Sequence, residues 1–135
     1  MNEAPLVQYM ILCKDVRLEG PRPKRLNLYG LMMGLTSPSD AFPAHFPEFC
    51  IFLVLRNGRG PGVGVVSAIY EDTGEVSWIS GPHPLNFSSN PLEFRTLSIR
   101  VTNVVFQAAG AYSFEFRYNG AVLATQSLTV TGVNS

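Results

Sequence analysis

Over residues 110–130 the apolar and polar positions alternate with the period of a β-strand. Tyr112, Phe114, Phe116 and Tyr118 fall on one side of an extended backbone, and Ala111, Ser113, Glu115 and Arg117 fall on the other. Asn119 and Gly120 follow, and because both accept positive φ at little cost they suit a type I′ hairpin turn that returns the chain as a strand over 121–130. A two-residue turn sets Tyr118 opposite Ala121, Phe116 opposite Leu123 and Phe114 opposite Thr125. That register sends Leu128 and Val130 to the polar side, so a β-bulge between Ala124 and Ser127 is predicted to bring them back to the core.

The rest of the chain reads the same way. Residues 6–14 form an apolar strand ending near Lys14, followed by a Pro-rich basic loop containing Gly20, Pro21, Arg22, Pro23, Lys24 and Arg25. Residues 26–35 make a second strand, with Leu26, Leu28 and Gly30 on one side and Asn27 and Tyr29 on the other. Pro38, Pro43 and Pro47 remove donors and keep 36–48 as a long loop. Residues 49–56 are almost continuously apolar, which predicts a central strand covered on both faces. The Gly-rich turn 57–62 leads into a strand over 63–70, and Asp72, Thr73 and Gly74 turn the chain into another over 76–80. The irregular stretch 81–93 holds a near-repeat, His83-Pro84-Leu85-Asn86-Phe87 and Asn90-Pro91-Leu92-Glu93-Phe94, each copy of which is expected to drop a Leu and a Phe onto the core. Leu97, Ile99 and Val101 then alternate with Thr96, Ser98 and Arg100. About eight strands without helical periodicity predict an all-β fold of two packed antiparallel sheets, in a single domain over residues 1–135.

The final hairpin resembles the closing hairpin of immunoglobulin-like domains. Tyr112, two residues after Gly110, resembles the tyrosine corner, whose hydroxyl bonds back to an upstream backbone group. The match is architectural: Ala108 stands four residues before the tyrosine where an Asp is common, and Phe114 stands where antibody domains have a Cys. It implies an immunoglobulin-like β-sandwich by architecture, with no claim on immune function. The whole chain is similar to a family of small bacterial proteins of uncharacterised function, through Leu12-Cys13-Lys14-Asp15-Val16-Arg17, Leu28-Tyr29-Gly30-Leu31, the Phe-Pro loop before Phe49, and the Gly-Ala-Tyr-Ser-Phe to Gly-Ala-Val-Leu-Ala ending. That resemblance implies a bacterial, cytosolic sandwich and carries over no catalytic residue.

Composition narrows the function. Ten basic and ten acidic residues cancel, which argues against a nucleic-acid partner. Charged residues are 15% of the chain, against about 25% in typical soluble domains. Either another protein covers apolar surface or small polar residues coat it. The amino terminus carries an acid where a secretory signal carries Lys or Arg, and no stretch reaches the length of a membrane-spanning helix. A soluble, cytoplasmic protein without a membrane partner is expected. Cys13 and Cys50 lie in apolar runs and behave as small hydrophobes, with their pairing left open. His45 and His83 are far apart, and neither a Cys-x-x-Cys nor a nucleophile elbow occurs, so no metal, cofactor or catalytic residue is expected.

Two loop regions are candidate partner sites. If consecutive strands simply alternate in direction, Arg22, Lys24, Arg25 and Arg59 gather at one end of the sandwich with Arg17, Arg56 and Arg117. Asp40, Glu48, Glu71, Asp72 and Glu75 then gather at the other, an electrical polarity able to steer a partner. The stiff loop bearing Phe42, His45 and Phe46 offers aromatic anchors for a partner or a plug over the core. The expected function is a non-catalytic protein-interaction or assembly module, with a protein partner or self-association. A carbohydrate-binding sandwich using Trp78 or Tyr70 is the alternative, and an enzyme ranks third.

Overall fold

The computed structural model describes residues 3–21, 25–37, 42–88, 90 and 92–132. They form β1 (Leu6–Glu19), β2 (Arg25–Leu31), β3 (Gly34–Thr36), β4 (Ala44–Arg56), β5 (Gly60–Tyr70), β6 (Val76–Ile79), β7 (His83–Phe87), β8 (Phe94–Phe106), β9 (Gly110–Tyr118) and β10 (Ala121–Thr131). One sheet runs β2-β1-β4-β8, and the other runs β3-β10-β9-β5-β6 with β7 beside the start of β5. Pairing is antiparallel except for β3, which runs parallel to β10. The all-β sandwich expected from the alternation is present, with the immunoglobulin-like architecture that the resemblance implies and with ten strands rather than eight among the described residues.

The inward residues of the two sheets share one core. Leu12, Phe49, Ile51, Leu53 and Val101 come from the first sheet, and Val66, Phe114, Phe116, Leu128 and Val130 from the second. Phe49 meets Phe114 edge-on across the sandwich at 5.9 Å between ring centroids, and Phe106 meets Tyr112 at 4.7 Å. Such contacts add about 0.5–1.5 kcal/mol each beyond area burial. Tyr112 is fully buried and its hydroxyl donates to the Ala108 carbonyl at 2.7 Å, which completes the tyrosine corner.

The hairpin turn is as expected, with φ of 49° at Asn119 and 87° at Gly120. Asn119 also ties the turn to β5, accepting from the Val63 N–H on its Oδ1 at 2.9 Å and donating its own N–H to the Val63 carbonyl at 2.9 Å. The bulge lies earlier than predicted, between Val122 and Ala124, so Ala124 faces Phe116 and Gln126 faces Phe114. Below Thr129 no described strand pairs with the outer side of β10, and sheet edges are where bulges concentrate. Leu128 and Val130 are fully buried as a result.

Several boundaries differ from those read in the sequence. β1 does not stop near Lys14 but continues to Glu19, because its polar end pairs with β2 as a projecting hairpin. Regular structure begins at Ala44, inside the expected Pro-rich loop. The ladder breaks alternation between the pairs Phe46–Val104 and Glu48–Thr102, with Asn103 at φ 54°. Within the irregular stretch, His83–Phe87 forms β7, and only the first copy of the near-repeat plugs the core. Leu85 and Phe87 are buried, whereas Leu92 is 82% exposed and Phe94 lies at the surface.

The largest correction concerns direction. The expected single strand over 26–35 is divided: Leu31 pairs with Cys13 in the first sheet, and Gly34 pairs with Thr129 in the second. The chain changes sheet and direction at Met32 and Met33. This extra reversal moves every later loop to the opposite end from the one simple alternation assigns. The β1–β2 turn therefore shares its end with 71–75 and 107–109, while 57–59 and 119–120 lie at the other end. Arg25 and Arg59 are separated, Arg25 sits at the end that holds Glu71, Asp72 and Glu75, and among the described residues the predicted grouping of the charged loops does not occur.

Candidate functional site

The side of the first sheet that faces away from the core is the apolar surface of greatest interest. Met10, Leu12, Phe49, Ile51 and Leu53 point inward, so alternation turns Tyr9, Ile11 and Cys13 on β1 and Cys50, Phe52 and Val54 on β4 outward. Leu31, opposite Cys13, and Phe94, opposite Arg56, extend that face to the edge strands. Leu31 is 67% exposed, Phe94 54% and Tyr9 53%. A separate aliphatic strip, Val76 and Ile79, is exposed on β6 of the second sheet.

Cys13 and Cys50 are direct cross-strand partners in the middle of this face, both free and both buried. Burial is the main cause raising both thiols, reinforced at Cys13 by the neighbouring Cys50 and opposed at Cys50 by Arg100 on β8.

Most charged groups of the face are held by neighbouring side chains, two pairs of them by opposite charge. Arg17 donates to Asp15 at 2.8 Å and lies over the Tyr29 ring at 4.9 Å. The Tyr29 hydroxyl and, at 3.1 Å, the Asn27 amide donate to Glu19. Arg100 donates to Glu48 at 2.6 Å, and Arg56 donates to Gln8 while covering the Phe94 ring at 5.1 Å. The Arg17 hydrogen bond holds Asp15 below the usual carboxylate range, and the Tyr29 hydroxyl followed by Asn27 does the same for Glu19. The same contact with Glu19 raises Tyr29. Apolar side chains framed by self-paired charges suit docking better than proton transfer.

The residues singled out in the sequence are dispersed. Phe42 and Phe46 are half-buried against the core, with Phe46 edge-on to Phe106 at 5.4 Å, so they form the plug. His45 is exposed on β4 opposite Val105. Arg59 pairs with Glu3 through a backbone bridge and a 4.0 Å ion pair. Arg25 is exposed opposite Glu19, whereas Arg22 and Lys24 lie outside the described residues. Of the two rings proposed for sugar, Trp78 packs half-buried against the core. Tyr70 stacks on Tyr112 at 4.9 Å and donates to the Ala109 carbonyl at 3.0 Å. Sequence reasoning missed Tyr9, Leu31 and Phe94 as neighbours on one face. The available signal was the lack of alternation in the apolar runs at 6–12 and 49–55, which makes both sides of two adjacent strands apolar.

Among the described residues, no three His, Cys, Asp or Glu side chains gather at one place. No curated protein matches the chain. A crystal structure of an immunoglobulin-like protein from Pseudomonas aeruginosa is similar over 86% of this chain and 96% of that one, at 11% identity and a TM-score of 0.34. The model of a family of unknown function, DUF6941, matches residues 8–131, from the first strand to the end of the last, and the chain belongs to that family.

Proposed function

We propose that the protein is a non-catalytic interaction module that assembles with a second copy of itself through the outer face of the β2-β1-β4-β8 sheet. The observation that carries this reading is the exposure of Tyr9, Leu31 and Phe94 on one face around Ile11, Phe52 and Val54. Aromatic side chains at the centre of a patch are the usual anchors of an interface. Charge favours a like partner. The formal net charge is zero, and Arg17 and Arg100 are already paired with Asp15 and Glu48. Glu19 and Arg56, which form no ion pair, lie at opposite ends of the same face. A two-fold axis through the middle brings each toward its opposite on the other copy. The setting proposed is a bacterial cytosol, whose reducing poise keeps two adjacent thiols unpaired.

Light scattering on a size-exclusion column tests the reading. The expected mass is twice the 14.8 kDa chain. The double substitution Tyr9→Lys and Phe94→Lys should give monomer, while Val76→Lys with Ile79→Lys on the other sheet should leave the dimer intact. A wild-type monomer at every concentration, or a dimer that survives Tyr9→Lys with Phe94→Lys, overturns the proposal.

A further inference from the structure

The geometry points to a binding cleft for a small carboxylate with a flat apolar body, formed between β5 and β7 of one sheet and Arg95 of the other. The cleft has a volume of about 440 Å³ and is lined by Pro61, Gly62, Val63, Pro84, Leu85, Asn86 and Arg95, within the usual range for small-molecule sites. One charged group whose side chain has no partner stands there. Arg95 stands opposite Leu55 and so projects from the core-facing side of β8. Among the described Lys and Arg residues it alone is half-buried rather than exposed, and it makes no hydrogen bond or ion pair. A partly desolvated guanidinium without a counter-charge is a site for an anion.

Asn86, beside Arg95 in the lining, offers an amide donor. Tyr118, only 2% exposed and with its hydroxyl buried, lies behind the wall at Gly62 and does not line the cleft. A ligand oxygen on Arg95, with a second hydrogen bond from the Asn86 amide, supplies the guanidinium with a counter-charge. The remaining walls, Pro61, Val63, Pro84 and Leu85, are apolar and accept a flat hydrocarbon body. One guanidinium balances one negative charge, so a carboxylate fits better than a phosphate dianion, whose second charge would face these walls uncompensated.

The test is a titration of the full chain with phenylacetate, followed by backbone amide NMR. Benzyl alcohol serves as the body without the charge, and inorganic phosphate as the charge without the body. Saturable shifts centred on Gly62, Leu85 and Arg95 are expected with phenylacetate. Binding should weaken at least tenfold with benzyl alcohol, phosphate or the Arg95→Gln variant. Tyr118→Phe, behind the cleft wall, should leave the affinity unchanged, and far-UV circular dichroism should show both variants folded. Three outcomes overturn the inference: absence of saturation at millimolar phenylacetate, equal affinity in Arg95→Gln, or phosphate binding as tightly as phenylacetate.

Discussion

Two buried tyrosines at opposite ends of β9 provide a matched experiment on what a hydroxyl contributes. Tyr112 and Tyr118 are 0% and 2% exposed, and each loses one oxygen on substitution by Phe. The Tyr112 hydroxyl donates to the Ala108 carbonyl at 2.7 Å, whereas the Tyr118 hydroxyl has no partner. Tyr112→Phe should therefore remove a made hydrogen bond and strand a half-buried carbonyl, at a cost of about 1–2 kcal/mol. Tyr118→Phe removes a group that is desolvated without compensation and should stabilise the fold by about 1 kcal/mol. For a chain of this length 1 kcal/mol corresponds to roughly 3–5 °C in Tm, so the two variants should move in opposite directions and separate by about 6–15 °C. Urea unfolding monitored by Trp78, the single tryptophan, gives the same comparison at 25 °C. Burial raises both phenols. Stability is thus fully present below the unfolded value of about 10 and is lost as pH rises through the folded values. Each Phe variant should remove part of that alkaline loss. Equal destabilisation by the two substitutions would refute the reasoning, because it would mean that Tyr118 has a partner of its own.

A methyl group added at Gly62 meets Tyr118 Oη at 2.0 Å and Cζ at 2.1 Å, so Gly62→Ala should cost about 3 kcal/mol in urea titrations. Gly81→Ala, with open space around its Cβ position, should stay within about 0.5 kcal/mol, and similar values for both would show that the ring yields freely. Cys13 and Cys50 should react with a disulfide reagent at pH 7 at least about tenfold more slowly in the native protein than in urea, and accelerate only above the ordinary thiol range, because burial raises both. Fast native labelling would mean that the middle of the outer face opens readily.

What could be read from the sequence was local. The final hairpin was legible because Tyr112 to Tyr118 alternate and Asn119-Gly120 dictates the turn, and the bulge was legible as a necessity from the misplaced Leu128 and Val130. Its position was not, since that depends on where β3 stops covering the edge of β10. The reversal at Met32 and Met33 is signalled only by Gly30 and Gly34, whose missing side chains suit a bend or a close backbone, and Gly34 does lie close to the Thr129 carbonyl, 95 residues away along the chain. Missing it inverted the grouping of the loops and with it the expected charge polarity. The cleft was equally hidden, because Arg95 and Gly62 meet only when the two sheets close.

A charged fraction of 15% allows either apolar surface or a coat of small polar side chains, and the two sheets of this molecule differ in that respect. The outer side of β9 and β10 carries Ser113, Thr125, Ser127 and Thr129, hydroxyls that satisfy water without the entropy cost of long charged side chains. The outer side of the first sheet carries Tyr9, Leu31 and Phe94 instead. The departure of β2 after Leu31 sharpens the contrast. Beyond the Met32 N–H, which donates to the Leu12 carbonyl at 2.8 Å, no described strand pairs with that side of β1, so an uncharged stretch, Leu6 to Ile11, lies at a sheet edge beside the apolar face. Sheets that leave such an edge open normally guard it with charge or proline, and this stretch has neither. In the proposed dimer a second copy seated on the face and reaching past Tyr9 would cover the ring, Leu31 and the edge together, while Arg17 with Asp15 and Arg100 with Glu48 stay paired on the same face.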